Sequence, residues 1–279
     1  MPLDKQTLIQ LAIIVPAGLL AAGVLWQRGC LKKQSLDNRP IHLTGLIGLD
    51  LVIGLLLLIF GMGLIPVVGS FLNSDDKSPL LQASMMLIGQ ICMFCPIMLY
   101  VFLKIRASSH SISDFGLSLH EPTHWKTGVW AAVLGIPILF AIGSLMSVLS
   151  SLLGIPTPEI AHEMLVTISQ TRDIKTMVIL LVSAIIAAPL FEEIVFRGFM
   201  HQAMRDLISV KTPWINICIC SVIFTGIHIN VAQWQTMPAL FVLGGMLGWI
   251  YEKTGSLWPC IILHACFNTL NIGIVLLIL

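Results

Sequence analysis

The sequence predicts an all-α protein, a polytopic transmembrane helix bundle of about eight spans with a polar site inside the membrane. Hydrophobic residues make up 57% of the 279 residues, charged residues make up 10%, and the mean hydropathy is +0.94. A soluble domain needs a polar exterior that this composition does not supply, so lipid is the expected surroundings of the surface. The net charge is +1 and there is no basic patch, which excludes a nucleic-acid partner. The lipid bilayer is the first expected partner.

The spans are predicted from apolar runs of ~20 residues, the length of helix that crosses a bilayer. The runs lie at about 7–26, 45–70, 80–103, 127–153, 174–198, 213–231, 237–252 and 257–279. Basic residues follow the first run instead of preceding it, which favours a retained span over a cleaved signal peptide. We therefore expect a multi-pass integral membrane protein.

Basic residues also predict the orientation of the bundle. Most of the 15 Lys and Arg residues fall in the first, third, fifth and seventh loops. Short loops rich in Lys and Arg stay on the cytoplasmic side of a membrane. Both termini are then expected outside, and the segment EEIVFRG at 192–198 lies near the cytoplasmic end of the fifth span.

A small set of polar side chains lies inside the predicted spans. The set is Asp50, Glu192, Glu193, Arg197, His228, His264 and Asn268. An ionisable side chain in hydrocarbon is costly unless it is paired or meets water, so such residues mark candidate functional sites. Asp50 lies only a turn or two into the second span, where water reaches it, and we interpret it as structural.

Two adjacent carboxylates in the fifth span are predicted to differ in role. Glu193 and Arg197 are four residues apart, so they share a helix face, and their order suits an ion pair. Glu192 is rotated by about 100° from Glu193 and does not share the same guanidinium as easily. A carboxylate without a cation near lipid should have its pKa raised by desolvation, and a raised pKa suits a general base near neutral pH.

Four polar groups are expected to converge in one intramembrane pocket. Glu192 and His228 lie equally far along the chain from Val210, the predicted centre of the turn between the fifth and sixth spans. They should therefore lie at the same depth. His264 is about ten residues, or roughly 15 Å of helix, from its own turn, which gives a similar depth. Asn268 lies one helical turn after His264.

The chemistry of these groups allows two interpretations. A carboxylate with a histidine can deprotonate water, while a second imidazole and an amide can stabilise an oxyanion, which together suit peptide-bond hydrolysis. Alternatively, Glu192, His228 and His264 could bind zinc from three helices and leave one position open for water. The residues alone leave these two mechanisms about equally supported. A transporter is less favoured, because no paired repeats with broken helices are apparent.

Three motifs resemble those of a known membrane family. They are E-E-x-x-x-R at 192–197, F-x-x-x-H at 224–228 and H-x-x-x-N at 264–268. In this order they resemble the CPBP family, also called the Abi family. Its members include CAAX prenyl endopeptidases of the Ras-converting type and bacteriocin-processing or immunity proteins. The resemblance places the family core at 175–272, after N-terminal helices at 1–174 without a readable motif and before the end of the last helix at 273–279.

The resemblance implies an intramembrane endopeptidase. Glu192 would activate a water molecule with the aid of His228, and His264 with Asn268 would form the oxyanion pocket. Three residues would support the site: Glu193, Arg197 and Phe224.

The better understood members of the family look like glutamate proteases, so no metal cofactor is implied and zinc is the alternative. The implied substrate is a hydrophobic, lipid-anchored or prenylated peptide. A non-catalytic membrane scaffold or bacteriocin-immunity protein is the alternative function.

Overall fold

The structure is a computed structural model that describes residues 5–40, 44–71, 78–107, 110–118, 123–155, 163–208 and 213–278. Every regular element in these ranges is helical, which confirms the all-α class for the described part of the chain. The turn predicted to centre on Val210 lies outside the described residues.

The longer helices run through most of the described chain. They are α1 (Lys5–Gln27), α2 (Gly48–Phe71), α3 (Pro79–Ala107), α4 (Thr123–Leu152), α5 (Glu163–Gln170), α6 (Ile174–Leu207), α7 (Pro213–Gly226), α8 (Met237–Thr254) and α9 (Trp258–Ile278). Short 3-10 turns occur at Lys33–Leu36, Ile112–Phe115 and Trp234–Thr236. Helix α5 was not predicted, because it is shorter than a membrane span and lies between two of them.

Five helices of the described residues are long and apolar enough to cross a membrane: α2, α3, α6, most of α4 and nearly all of α9. Two shorter apolar helices, Leu11–Gln27 and Pro213–Gly226, do not reach that length within the described residues. The predicted count of eight spans is therefore not confirmed. Many large apolar side chains on these helices are exposed, as expected of an integral membrane protein whose surface meets lipid.

Two predicted span ends differ from the structure. Helix α6 continues to Leu207 instead of ending at 198, because the polar residues that follow are buried and paired inside the protein. Helix α7 ends at Gly226, so His228 lies in the turn that follows and not in the helix. The His228 N–H bonds to the Thr225 carbonyl at 3.1 Å, a tighter i to i−3 bond that closes the end of the helix.

The C-terminal half of α6 lies at the centre of the main hydrophobic core. Phe196 and Phe199 of this helix are fully buried, together with Phe224 of α7 and Tyr251 of α8. Helices α7 and α8 approach closely at Gly244, where an added Cβ would lie 3.1 Å from the Ser221 Cα. Helix α6 therefore places its side chains between α3, α8 and α9, where the candidate site forms.

Candidate active site

Glu192 and Glu193 lie on a short α-helical stretch between two π-helical segments of α6. The segments are Ser183–Ala187 and Ile194–Met200. Pro189 has no N–H and its ring would crowd the carbonyl four residues earlier in a regular helix. The widened turn just before it accommodates this residue, with the Ala188 N–H bonded five residues back to the Ser183 carbonyl. Such π turns inside α-helices occur frequently at functional sites.

Glu193 is fully buried and is bound by two cationic or ionisable groups. Its Oε1 lies 2.9 Å from Arg197 Nη1, so the predicted ion pair is present. The same oxygen lies 2.9 Å from His264 Nδ1. Arg197 also donates from Nη2 to the Gly244 carbonyl at 3.1 Å. The contact of His264 with Glu193 was not predicted, because no sequence spacing relates the two residues.

Glu193 also leaves its Oε2 without a donor among the described residues, but Glu192 differs from it in that the nearest cationic or ionisable groups lie beyond hydrogen-bond distance. It is 8% exposed, and its Oε2 forms no hydrogen bond with any residue that the structure describes. His228 Nε2 lies 3.8 Å from this oxygen and His264 Nε2 lies 3.9 Å from it. Both distances exceed a direct hydrogen bond and leave room for a bridging group.

The outer nitrogens of both imidazoles determine what the inner nitrogens can do. His228 Nδ1 is 2.8 Å from the Phe224 carbonyl, which only accepts, so Nδ1 carries the proton. His264 Nδ1 likewise donates to the Glu193 carboxylate. In the neutral form of each ring, Nε2 then presents a lone pair toward Glu192. Three acceptor atoms therefore surround one small space, and a water molecule there can donate to two of them at a time.

Asn268 and Phe224 occupy different layers of the site. Asn268 donates from Nδ2 to the Ala184 carbonyl at 2.8 Å, which ties α9 to the first π segment and leaves a second N–H on the amide. Phe224 is fully buried, with the Arg197 guanidinium 4.8 Å from its ring centre. Its ring also lies 5.0 Å from the His228 ring and 5.9 Å from the His264 ring. Phe224 thus packs both imidazoles and the guanidinium together.

The predicted catalytic residues line a cavity of about 690 Å³, and the predicted supporting residues do not. Four site residues line it: Glu192, His228, His264 and Asn268. The three supporting residues lie behind this wall and do not line it: Glu193, Arg197 and Phe224. This agrees with the division of the seven residues into two groups, while their roles stay predictions.

The N-terminal helices, in which no motif was readable, supply a large part of the cavity wall. Helices α2 and α3 contribute Met62, Met86 and Met93, and α3 also contributes the carboxamide of Gln90. Sequence reasoning missed Gln90, although it lies in the apolar run MMLIGQICMFC. The criterion that selected Glu192, a polar side chain at membrane depth, would have found it.

A second buried charge cluster was also missed. Glu252 of α8 is 1% exposed, with Oε2 2.7 Å from Arg39 Nε and 3.1 Å from Arg205 Nη2. Its Oε1 lies 2.8 Å from His201 Nε2. The sequence offered no signal for this cluster, since Glu252 is the last residue of the predicted seventh span and Arg39 lies in a loop. The cluster joins the first loop to α6 and α8.

The interpretation of Asp50 as exposed to water at the interface is wrong. Asp50 is 2% exposed and accepts hydrogen bonds from the Tyr100 hydroxyl and from the Ile47 N–H at 2.7 Å. Lys104 Nζ lies 2.9 Å from its Oδ1. The chain packs α3 against the start of α2, which replaces water with a tyrosine and a lysine and leaves Asp50 paired.

Zinc was the alternative interpretation of Glu192 with the two histidines. Among the described residues, no group of three or more His, Cys, Asp or Glu side chains has an arrangement able to hold a metal ion. A chelator experiment therefore tests the zinc alternative.

Comparison with known proteins bears on the C-terminal part of the chain. Residues 174–270 match the Rce1-like family, described as type II CAAX prenyl endopeptidase Rce1-like. This segment is similar to that family. The resemblance found from the three motifs is thereby confirmed, and a protease of the CAAX family is the implied class.

The other two comparisons, with curated proteins and with solved structures, give less information about function. An Escherichia coli protein named "Uncharacterized 24.3 kDa protein" is 27% identical over 139 residues. The match covers 50% of this chain and 64% of that protein, so this chain spans less than two thirds of its relative. No solved structure matches the chain.

Proposed function

We propose that this protein is an intramembrane endopeptidase that hydrolyses a peptide bond in a hydrophobic or lipid-anchored substrate, with Glu192 as the general base. The observation that carries the proposal is the buried Glu192 Oε2, which has no protein donor and faces two imidazole nitrogens at 3.8 and 3.9 Å on a cavity wall. Perturbed or unpaired ionisable groups that converge in a cleft are the usual mark of a catalytic site.

In the proposed reaction, a water molecule lies between Glu192 Oε2 and His228 Nε2 and donates one hydrogen bond to each. As its oxygen attacks the scissile carbonyl carbon, one proton passes to Glu192 and a C–O bond forms. The carbonyl becomes a tetrahedral oxyanion. When the C–N bond breaks, the proton returns from Glu192 to the leaving nitrogen, and the products are a carboxyl group and an amine.

His264 and Asn268 are proposed to stabilise the oxyanion. The second N–H of the Asn268 amide is a donor that needs no change of state, since its first N–H binds the Ala184 carbonyl. His264 can donate from Nε2 only as an imidazolium, because Nδ1 already donates to Glu193. The Glu193 carboxylate stabilises that imidazolium and sets the ring orientation, as a carboxylate does behind a catalytic histidine.

Glu193, Arg197 and Phe224 are proposed to hold the reacting groups in place. Arg197 neutralises Glu193 and anchors it to the Gly244 carbonyl of α8. Phe224 packs against both imidazole rings. Without these contacts the two Nε2 atoms would lose their common orientation toward Glu192, and misplacement by about 1 Å can cost 100-fold in rate.

The test is cleavage of a prenylated CAAX peptide and its unprenylated counterpart by the purified protein in lipid, with and without a chelator. We expect cleavage that the chelator does not change and that Glu192→Gln abolishes. Full activity in a folded Glu192→Gln variant would overturn the role of Glu192. Loss of activity on chelation and recovery with zinc would support the metal mechanism instead.

The non-catalytic alternative, a membrane scaffold or immunity protein, makes an opposite prediction. If the polar cluster serves packing alone, Glu192→Gln should change the thermal stability and no peptide should be cleaved. The position of Glu192 argues against this, because its carboxylate lies on the cavity wall with no cationic or ionisable group of the described residues nearer than 3.8 Å.

A further inference from the structure

One face of α6 forms a track along the cavity wall that leads away from Glu192. Ala184, Ala188 and Glu192 line the cavity at intervals of four residues, so they lie in one row on the helix. The two alanines present only methyl groups, which leaves space for a bound chain. Eight residues of helix correspond to about 12 Å.

At the far end of this track lies Gln90 of α3. Its Oε1 accepts a hydrogen bond from the Ser183 hydroxyl at 3.0 Å, and Ser183 is fully buried at the start of the first π segment. Gln90 itself is half-buried and lines the cavity, whereas Ser183 does not. The acceptor of the Gln90 amide is thus occupied by the protein.

The amide nitrogen of Gln90, Nε2, is a donor that a molecule bound in the cavity could use. Gln90 Nε2 forms no hydrogen bond to another of the residues that the structure describes. A carboxamide in an apolar helix is costly unless its groups are paired. An extended peptide carries carbonyl acceptors at regular intervals along its backbone, and one of them would satisfy this donor.

We propose that Gln90 binds a backbone carbonyl of an extended substrate about four residues from the scissile bond. The count follows from the track length of about 12 Å and the rise of about 3.3 Å per residue of an extended chain. The inference rests on the proposed function and deepens it: the substrate is an apolar segment bound in extended form through its backbone, with at least four residues on one side of the cleaved bond.

The experiment uses two series of hydrophobic peptides, shortened one residue at a time on either side of the cleaved bond. Turnover is measured with the wild type and Gln90→Leu. Binding of the same peptides is measured in the Glu192→Gln background, where they remain uncleaved. For long peptides we expect Gln90→Leu to raise KM and Kd about five- to tenfold, the value of one hydrogen bond, with kcat within about twofold.

Substrate length separates binding from packing. In one of the two series, peptides with fewer than about four residues should bind wild type and Gln90→Leu equally well. Gln82→Leu is the matched control, a carboxamide about two turns earlier on α3 that is exposed and outside the cavity lining, and it should leave both constants unchanged. Ser183→Ala removes the partner of Gln90 without touching the cavity and should keep the dependence on length.

Two results would overturn the inference. One is a loss in Gln90→Leu that is the same for every peptide length, equal to that of Ser183→Ala, which would make Gln90 a packing residue. The other is unchanged KM and Kd in a folded Gln90→Leu protein. If the wild type cleaves nothing yet binding depends on Gln90 and on length, the proposed catalysis fails while the Gln90 site stands.

Discussion

Two buried acidic residues differ in how closely their carboxylates are paired. Glu192 lies on α6, and Glu252 lies on α8 beside the C-terminal end of α6. Glu252 is surrounded by Arg39, Arg205 and His201, and both of its oxygens have a cationic or ionisable neighbour within 3.1 Å. Among the described residues, Glu192 has only two imidazoles near it, and neither lies closer than 3.8 Å. The difference is one of distance: the Glu252 carboxylate is held closely by its neighbours, whereas the Glu192 carboxylate leaves room for a bridging group.

The largest effect on activity is expected from a change at His228. We expect His228→Leu to slow peptide cleavage by at least about 100-fold, because water loses one of its two acceptors beside Glu192. The stability should fall by only about 1 kcal/mol, the value of the bond from Nδ1 to the Phe224 carbonyl. Turnover assays and thermal unfolding of the same preparation measure both. Wild-type turnover would remove His228 from the mechanism.

Glu252→Gln should show the reverse pattern. Removing this charge takes the carboxylate away from the guanidinium groups of Arg39 and Arg205. Breaking such a buried pair costs about 3–5 kcal/mol of unfolding free energy. We expect a clearly lower melting temperature, while the folded fraction retains its KM for peptide. Thermal denaturation in detergent measures the melting temperature, and peptide-cleavage kinetics at low temperature measure the KM of the folded fraction. An unchanged melting temperature would contradict the structural role of the cluster.

Arg197→Lys sharpens the comparison within the candidate site. A lysine keeps the charge beside Glu193 but loses the second bond to the Gly244 carbonyl and the planar contact with Phe224. We expect a loss of about 1–2 kcal/mol in stability and a fall in kcat larger than any change in KM. Arg197→Met serves as the reference variant that also removes the charge. Equal behaviour of lysine and arginine would show that charge alone matters.

Lys253→Met is the smallest expected effect and the control for the Glu252 cluster. Lys253 is exposed and donates to the Ser35 carbonyl at 2.8 Å, next to the buried charges but outside them. We expect a change in unfolding free energy within about 0.5 kcal/mol, since exposed substitutions rarely exceed that. A loss of stability as large as that of Glu252→Gln would show that this surface contact, and not the cluster of buried charges, holds the first loop in place.

The sequence predicted some features well because they depend on local spacing or composition. The pair of Glu193 with Arg197 follows from the distance of four residues along a helix. The convergence of Glu192 with His228 was inferred from their equal distance to a turn, and their 3.8 Å separation agrees with it, although the turn lies outside the described residues. The count of eight spans is not confirmed, because two of the apolar runs form helices shorter than a span within the described residues, Leu11–Gln27 and Pro213–Gly226. The end of the fifth span was wrong, because hydropathy does not show where a buried polar segment continues a helix, as α6 does.

By itself, the sequence determined the helical class, the membrane setting and the identities of the polar side chains that must find partners in it. Composition and periodicity are local properties, and an apolar run of sufficient length has few alternatives to a helix in lipid. Only the tertiary structure decided which partner each polar group has. His264 donates to Glu193 instead of Glu192, Gln90 reaches the cavity from α3, and Arg39 reaches Glu252 from the first loop. Such contacts join residues far apart in the chain, and their pairing depends on how the helices pack against one another.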